Sequence, residues 1–281
     1  MNVDDKEKIK AAAEMIIEAE ALLVSAGAGM GVDSGLPDFR GSEGFWNAYP
    51  PYRKLGLDFY DLANPGWFAS DPTLAWGFYG HRLNLYRRTV PHPGFALLRQ
   101  WTEARPGGYF VFTSNVDGQF QKAGFEAEKV NECHGSLHYL QCQANCLDRI
   151  WPAGDLAIAV EEESMRAQPP LPGCPDCGRL ARPNVLMFGD WNWLSGRSRE
   201  QQRLFQNWLA SSGGKNLVII ECGAGTAVPS VRRLSEQLLT RPHSRLIRIN
   251  KNEAEVPAGQ VGLAGSALSI LKRIAECIPG S

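Results

Sequence analysis

The sequence predicts an α/β fold built on a parallel sheet, with a smaller lobe set apart by its cysteines. Three observations carry this. Short apolar runs alternate with helical patterns along most of the chain, the arrangement of strands joined by crossover helices. Four of those runs end in Gly, Asn, Asp, Ser or Thr, and ligands bind at the carboxyl ends of parallel strands. Two close cysteine pairs sit in one turn-rich stretch, Leu137–Leu180.

The chain has 281 residues. At roughly 150 residues per domain this allows one large domain, or a large and a small one. Apolar residues are 44% and charged residues 21%, which excludes a disordered or collagen-like chain. Lys and Arg number 29 and Asp and Glu 30, a net charge of −1, so composition gives no case for bulk nucleic-acid binding. No apolar run approaches the roughly 18 residues that span a bilayer. The opening MNVDDKEKIK lacks a basic region followed by an apolar core, so a cytoplasmic protein without a membrane partner is expected. The seven cysteines are an odd count in a long chain, and disulfides are not expected.

Taken in order, Ile9, Ala12, Met15, Ile16 and Ala19 repeat at helical spacing from Asp5 to Glu20. Ala21–Ser25 is a buried strand that stops at Gly27. Leu36–Asn64, rich in Pro, Gly and aromatics, is a long loop with short helices. Asp71-Pro72 is an N-cap followed by proline at the first helical position, opening a helix to about Arg88. Tyr109–Thr113 is a strand. Gly196–Ala210 is a helix, Asn216–Glu221 a strand, Val228–Leu239 a helix, Arg245–Ile249 a strand and Ala267–Cys277 a last helix, with Leu268, Leu271, Ile274 and Ala275 on one face. The four strand ends carry Gly27-Ala28-Gly29-Met30-Gly31, Ser114-Asn115-Val116-Asp117, Gly223-Ala224-Gly225-Thr226 and Asn250, together one composite nucleotide site.

Glycines after a strand let the backbone approach a phosphate and offer it N–H donors. Spacing alone leaves an ordinary tight turn open at Gly27–Gly31, and the full G-x-G-x-x-G pattern is missing, so this is not a standard dehydrogenase opening. Cys142-x3-Cys146 and Cys174-x2-Cys177, separated by 27 residues, suit a closed tetrahedral zinc site with a structural role; two unrelated pairs of buried thiols are the plainer alternative. Cys133 and Cys222 read as small core residues. His134 precedes the cysteine lobe, where a cleft between lobes is expected. It is either structural or, as a neutral imidazole, a general base. His138 lies inside the lobe, His81 and His92 in the aromatic region, and His243 on a surface turn. Tyr79 and Arg82 share a helix face at i and i+3, which fits plain packing with a solvated arginine or a clamp for a carboxylate.

Together these residues resemble the sirtuin family. Gly27-Ala28-Gly29 followed by Gly35-Leu36-Pro37-Asp38-Phe39-Arg40 resembles its signature, Thr113-Ser114-Asn115-Val116-Asp117 its second block, and Cys133-His134-Gly135-Ser136 its His-Gly block. The cysteine pairs match its zinc module. Arg182-Pro183-Asn184-Val185-Leu186-Met187-Phe188-Gly189-Asp190 resembles the acceptor block and Ile249-Asn250 the late ribose block. The blocks run in family order over about residues 20 to 270.

The resemblance implies a Rossmann-like NAD-binding domain at 1–45, 89–136 and 181–281, a helical and loop insertion lining an acyl pocket at 46–88, and a zinc-binding lobe at 137–180. It implies NAD-dependent removal of acyl groups from lysine on protein or peptide substrates, giving nicotinamide and O-acyl-ADP-ribose. Gly27, Ala28, Gly29, Asp38, Phe39 and Arg40 would form the cofactor loop, with Phe39 shielding the reactive ribose from water. Ser114, Asn115 and Asp117 would line the nicotinamide and ribose pocket, and Gly223, Ala224, Gly225, Asn250 and Ser266 the phosphate and adenosine end. His134 would be the base, with Asn115 and Asp117 the other catalytic residues. Tyr79, Arg82, Phe188, Gly189 and Asp190 would meet the substrate, and zinc on Cys142, Cys146, Cys174 and Cys177 would be structural.

Three departures stand out. Ser114 replaces a usual glutamine, Gly223-Ala224-Gly225-Thr226 replaces Gly-Thr-Ser, and Asp190-Trp191-Asn192-Trp193 is bulkier than the usual stretch, which begins with Glu. Tyr79-x2-Arg82 resembles the sirtuin class that prefers succinyl, malonyl or glutaryl lysine, so deacetylase and desuccinylase activities are both expectations. The altered blocks keep two alternatives open: an NAD glycohydrolase or mono-ADP-ribosyltransferase, and an NAD-binding sensor without turnover.

Overall fold

The computed structural model describes residues 3–38 and 41–280. In chain order the strands are β1 (Ala21–Ala26), β2 (Tyr109–Thr113), β3 (Val130–Glu132), β4 (Gly135–Cys142), β5 (Ile150–Pro152), β6 (Val160–Glu161), β7 (Arg166–Ala167), β8 (Ala181–Val185), β9 (Leu217–Cys222), β10 (Ser244–Asn250) and β11 (Val261–Ala264). The helices are α1 (Val3–Glu18), α2 (Gly41–Ala48), α3 (Pro50–Lys54), α4 (Phe59–Leu62), α5 (Trp67–Ser70), α6 (Pro72–Arg88), α7 (Pro93–Glu103), α8 (Gln119–Lys122), α9 (Gly196–Ser211), α10 (Ser230–Leu238) and α11 (Ala267–Ala275).

The main sheet has six strands in the order β11-β10-β9-β1-β2-β3, and every neighbouring pair is parallel. Helices cover both faces, which is why β1 reads as a continuous apolar run rather than an alternating one. Its side chains still divide by period two. Leu22 and Val24 join Ile16, Leu98 and Leu271 under α1, α7 and α11, whereas Ala21 and Leu23 join Phe205, Leu209 and Val231 under α9 and α10.

A second core joins the short helices to the cysteine lobe. Phe45, Tyr52, Phe68, Trp76 and Phe78 pack with Leu140, Ile158, Met165 and Ala181. The lobe contains an antiparallel sheet of order β5-β4-β8 and a β6–β7 pair. Gly77 in α6 makes this contact possible, because a Cβ there would lie 1.9 Å from the Met165 carbonyl oxygen. No helix among the described residues is long and apolar enough to cross a membrane.

The expected elements appear with small boundary shifts. Val228 and Pro229 precede α10 rather than open it, with Pro229 as its N-cap. The buried face of α11 is Ala267, Ile270, Leu271 and Ile274, so Leu268 is only partly covered. Several further elements were not expected. Helix α7 has its signal in the sequence, since His92 caps it and Pro93 holds its first position. Strands β3 and β11 are short edges of the sheet, and β4 with β8 belongs to the small sheet.

Candidate functional site

The chain leaves β1 for β2 on one side and later enters β9 on the other, so strand order reverses between β1 and β9. A crevice opens at such a switch point, beyond the carboxyl ends of the strands. The loops Gly27–Gly31 and Gly223–Thr226 meet there. Gly223 adopts φ +64°, and a Cβ on it would lie 2.3 Å from the Gly29 carbonyl carbon; a Cβ on Gly27 would lie 2.8 Å from Ala224. These glycines therefore let two strand-end loops interlock. Gly29 N–H donates to the Gly223 carbonyl at 3.0 Å. The N–H groups of Ala28, Ala224 and Gly225 donate to nothing among the described residues and stay available to an anion.

A cavity of about 710 Å³ lies over these loops, within the range of small-molecule sites. It is lined by Gly27, Ala28, Gly29, Gly223, Ala224 and Gly225, and by Asp38. Ser114, Asn115, Asp117 and His134 line it as well. So do Tyr79, Arg82, Tyr86, Phe188, Gly189 and Asp190. Phe39 and Arg40 lie outside the described residues.

Two expected cofactor residues do not line the cavity. Asn250 is buried, its Nδ2 donating to the Ala224 carbonyl at 2.8 Å and its Oδ1 accepting from the N–H groups of Asn252 and Glu253, both at 3.1 Å. It braces the Gly223–Thr226 loop from behind. Ser266 caps α11, its hydroxyl accepting from Ser269 N–H. The displaced hydroxyl of Thr226 donates to Glu253 at 2.7 Å.

Asn115 and Asp117 sit on the loop after β2. Asn115 Nδ2 donates to the Gly27 carbonyl at 3.0 Å, tying the two loops together, and its Oδ1 has no partner among the described residues. Asp117 is buried and accepts from Gln119 N–H at 2.9 Å. Burial pushes its carboxyl up to about 6, a neighbouring Glu132 adds to this, and Arg82 opposes it. His134 stands in the turn between β3 and β4, and burial alone lowers its affinity for a proton. Its Nε2 lies 3.1 Å from Ser230 Oγ.

The expected Tyr79–Arg82 pair is arranged differently. Both line the cavity, but Arg82 donates to Tyr86 through Nε at 3.0 Å and Nη2 at 2.8 Å. Rings surround the guanidinium, with the centroids of Phe78 at 5.0, Tyr86 at 5.5 and Phe59 at 5.8 Å. It is only 6% exposed. Asp190, expected to meet substrate, forms a fully buried ion pair with Arg182 and also accepts from Asn192 N–H at 3.2 Å. Its carboxylate is committed to shaping the turn.

Sequence reasoning missed three supporting residues. His92 bridges from α7 to the first loop, its Nε2 donating to the Met30 carbonyl at 2.9 Å while Nδ1 accepts from Gly94. His138 holds the Asp117 carbonyl at 2.9 Å. Tyr86 lay one turn beyond Arg82, and the i,i+4 spacing was its signal.

The four thiols of Cys142, Cys146, Cys174 and Cys177 converge, all within 4.8 Å of one another. Cys142–Cys177 is 3.7 Å and Cys146–Cys174 is 3.6 Å. Zn–S bonds of about 2.3 Å in a tetrahedron place sulfurs roughly 3.8 Å apart, so the cluster fits zinc and is far too open for disulfides.

Tyr60, Leu186, Phe188, Trp191 and Val228 are exposed large apolar side chains that line the same cavity. Trp191 is 97% exposed. Its turn is held firmly, because Gln141 and Asn145 both donate to the Asn192 carbonyl, at 2.8 and 2.9 Å.

Comparison with known proteins gives a consistent picture. The sequence model of the Sir2 family matches residues 27–200. The chain is 30% identical over 266 residues to NAD-dependent protein deacylase 1 of Archaeoglobus fulgidus, covering 92% of this chain and 93% of the relative. It is 33% identical over 192 residues to the mitochondrial NAD-dependent protein deacylase sirtuin-5 of Danio rerio, covering 63% of this chain and 59% of the relative. A crystal structure of a Sir2 homologue in complex with NAD superposes with a TM-score of 0.69 at 25% identity, over 95% of this chain and 93% of that one.

Proposed function

The chain belongs to the Sir2 family, and from that premise we propose that it is an NAD-dependent protein-lysine deacylase with a preference for acyl groups that end in a carboxylate. One observation carries the reading. Asn115, Asp117 and His134 line a single cavity together with the two glycine loops and a buried Arg82.

The site fits NAD, since the interlocked glycine loops leave three backbone N–H groups available for a pyrophosphate. Bound NAD supplies the acyl acceptor, losing nicotinamide and taking the acyl group on its ribose. Gly27–Gly29 and Gly223–Gly225 would hold the phosphates, with Asn250 positioning the second loop rather than touching the ligand. Asn115 Oδ1 and Asp117 would orient the nicotinamide and ribose end. His134, kept neutral by burial, would take the proton of a ribose hydroxyl.

The acyl chain would enter toward Arg82, whose guanidinium in an apolar, ring-lined pocket favours a carboxylate. The N–H groups of Gly189 and Val228 donate to nothing among the described residues, so an extended acceptor peptide can add as a strand between these segments. The apolar rim beside them supports a protein or peptide acceptor. Zinc on the four cysteines would staple the lobe and take no part in the chemistry.

The test is nicotinamide release from NAD with acetyl-lysine peptide, succinyl-lysine peptide or no peptide, with His134→Ala as control. Peptide-dependent release with loss of acyl mass, faster for succinyl, is expected. Release without peptide would replace the reading with an NAD glycohydrolase; no release under any condition would replace it with a binding protein.

A further inference from the structure

Ser230 occupies the first residue of α10, 96 positions away in sequence from the histidine it touches. A serine at a helix start ordinarily spends its hydroxyl on the helix's own N–H groups. Here the N-cap is Pro229, no side chain caps the helix, and the Ser230 hydroxyl reaches His134 Nε2 at 3.1 Å instead. His134 lines the cavity and Ser230 does not, so this nitrogen is engaged from outside the ligand space. Nδ1 has no hydrogen-bond partner among the described residues. No charged side chain shifts the ring; of the titratable groups that line the same cavity, Asp117 feels Glu132 and Arg82, and Arg82 feels the tyrosines around it.

We propose that Ser230 is a positioning residue for His134, accepting the Nε2 proton and so reserving the Nδ1 lone pair for the proton taken during the reaction. The inference rests on the reading of His134 as the base. The partner of the second nitrogen decides which tautomer a histidine adopts. A hydroxyl that donated to Nε2 would consume that lone pair and leave the proton on Nδ1, with no base left. A hydroxyl also differs from a carboxylate partner. It orients the ring without strongly favouring imidazolium, which the positive end of α10 disfavours as well. That suits a base that must begin neutral and return its proton.

The experiment compares wild type, Ser230→Ala and Ser230→Thr by kcat, by KM for NAD and by the pH profile of kcat/KM. Nitrogen-15 NMR of the histidines, with the His134 signal assigned by its loss in His134→Ala, reads the tautomer without turnover. Ser230→Ala is expected to lower kcat about tenfold with little change in KM. The acidic limb should move to lower pH, because a hydrogen bond that favours imidazolium over imidazole is lost. Ser230→Thr should restore both. In wild type the NMR proton belongs on Nε2, and in Ser230→Ala the tautomers should mix. An unchanged kcat, or a fall with an unmoved acidic limb, overturns the proposal. So does a lowered KM with kcat intact, which would mean the hydroxyl merely competes with NAD. A wild type that releases no nicotinamide sinks the deacylase reading, and the NMR tautomer still decides the role of Ser230.

Discussion

Arg82 places two of its donors on the hydroxyl of Tyr86, while Tyr79 lies against Phe68 with its ring centroid 5.8 Å away. The polar pair in this part of the cavity lining is therefore Arg82–Tyr86, one helical turn apart on α6. Burial pushes the Tyr79 hydroxyl up to about 12, so it remains neutral and serves as a wall. Arg82→Met is expected to lower kcat/KM for succinyl-lysine roughly tenfold to a hundredfold, the worth of a charged hydrogen bond of about 1.5–3 kcal/mol. Acetyl-lysine turnover should fall much less. Tyr86→Phe frees the guanidinium to swing and should cost succinyl turnover more than acetyl. Equal losses on both peptides would remove the carboxylate from the argument.

Asp190 makes a separate point about the turn that follows β8. Its carboxylate and the Arg182 guanidinium are both fully buried, and removing one leaves the other charged and unsolvated. Asp190→Ala should cost about 3–5 kcal/mol of stability, read as a lower urea midpoint with an unchanged slope. Asp190→Glu, the residue usual at this position in the family, should recover much of it. A variant as stable as wild type but impaired only in peptide KM would mean that the side chain faces substrate after all.

Much of this site was legible because strands and loops announce themselves locally. The runs at Ala21–Ala26 and Tyr109–Thr113 are mostly apolar and buried along their length, and the glycines, Asn115, Asp117 and His134 follow strands at positions that parallel topology brings together. The cysteine spacing foretold the thiol cluster. What stayed hidden depends on side-chain direction across long separations. Nothing in the sequence says that Asn250 turns inward to Ala224, that Asp190 pairs with Arg182 across the β8 turn, or that Ser230 reaches His134. Residue type marked each as polar and near the site, and only packing decided which of them face the cavity.

The zinc site predicts a metal-dependent lobe. Four cysteines supply closed coordination, and their sulfur spacing already matches the ion. Purified protein is expected to hold one zinc per chain by elemental analysis. Cys174→Ser, or prolonged chelation, should release it and broaden or lower the thermal transition. The cavity wall at Tyr79, Arg82 and Tyr86 should suffer with it, because Ile158 and Met165 of the lobe share a core with α6. Full metal loss with an unaltered melting curve would show that the lobe folds without its staple.

Asp117 links stability to pH in a direction opposite to that of a salt-bridged carboxylate. Its folded-state value, about 6, lies above the ordinary value of 3.8, so the folded chain holds a proton that the unfolded chain has already released. The stabilisation is complete below the unfolded value and is lost as pH rises from about 4 to about 6, a change on the order of 3 kcal/mol at most. Asp117→Asn cannot ionise and keeps an acceptor for Gln119 N–H. The variant should match wild type near pH 4 and exceed it by about 1–3 kcal/mol at pH 8. On the proposed reading its turnover should fall at the same pH, since the charge that destabilises the loop is the one that would face the reacting ribose. Urea unfolding at the two pH values checks the first half and nicotinamide release the second. A stability difference that is the same at both pH values would place the titrating group elsewhere.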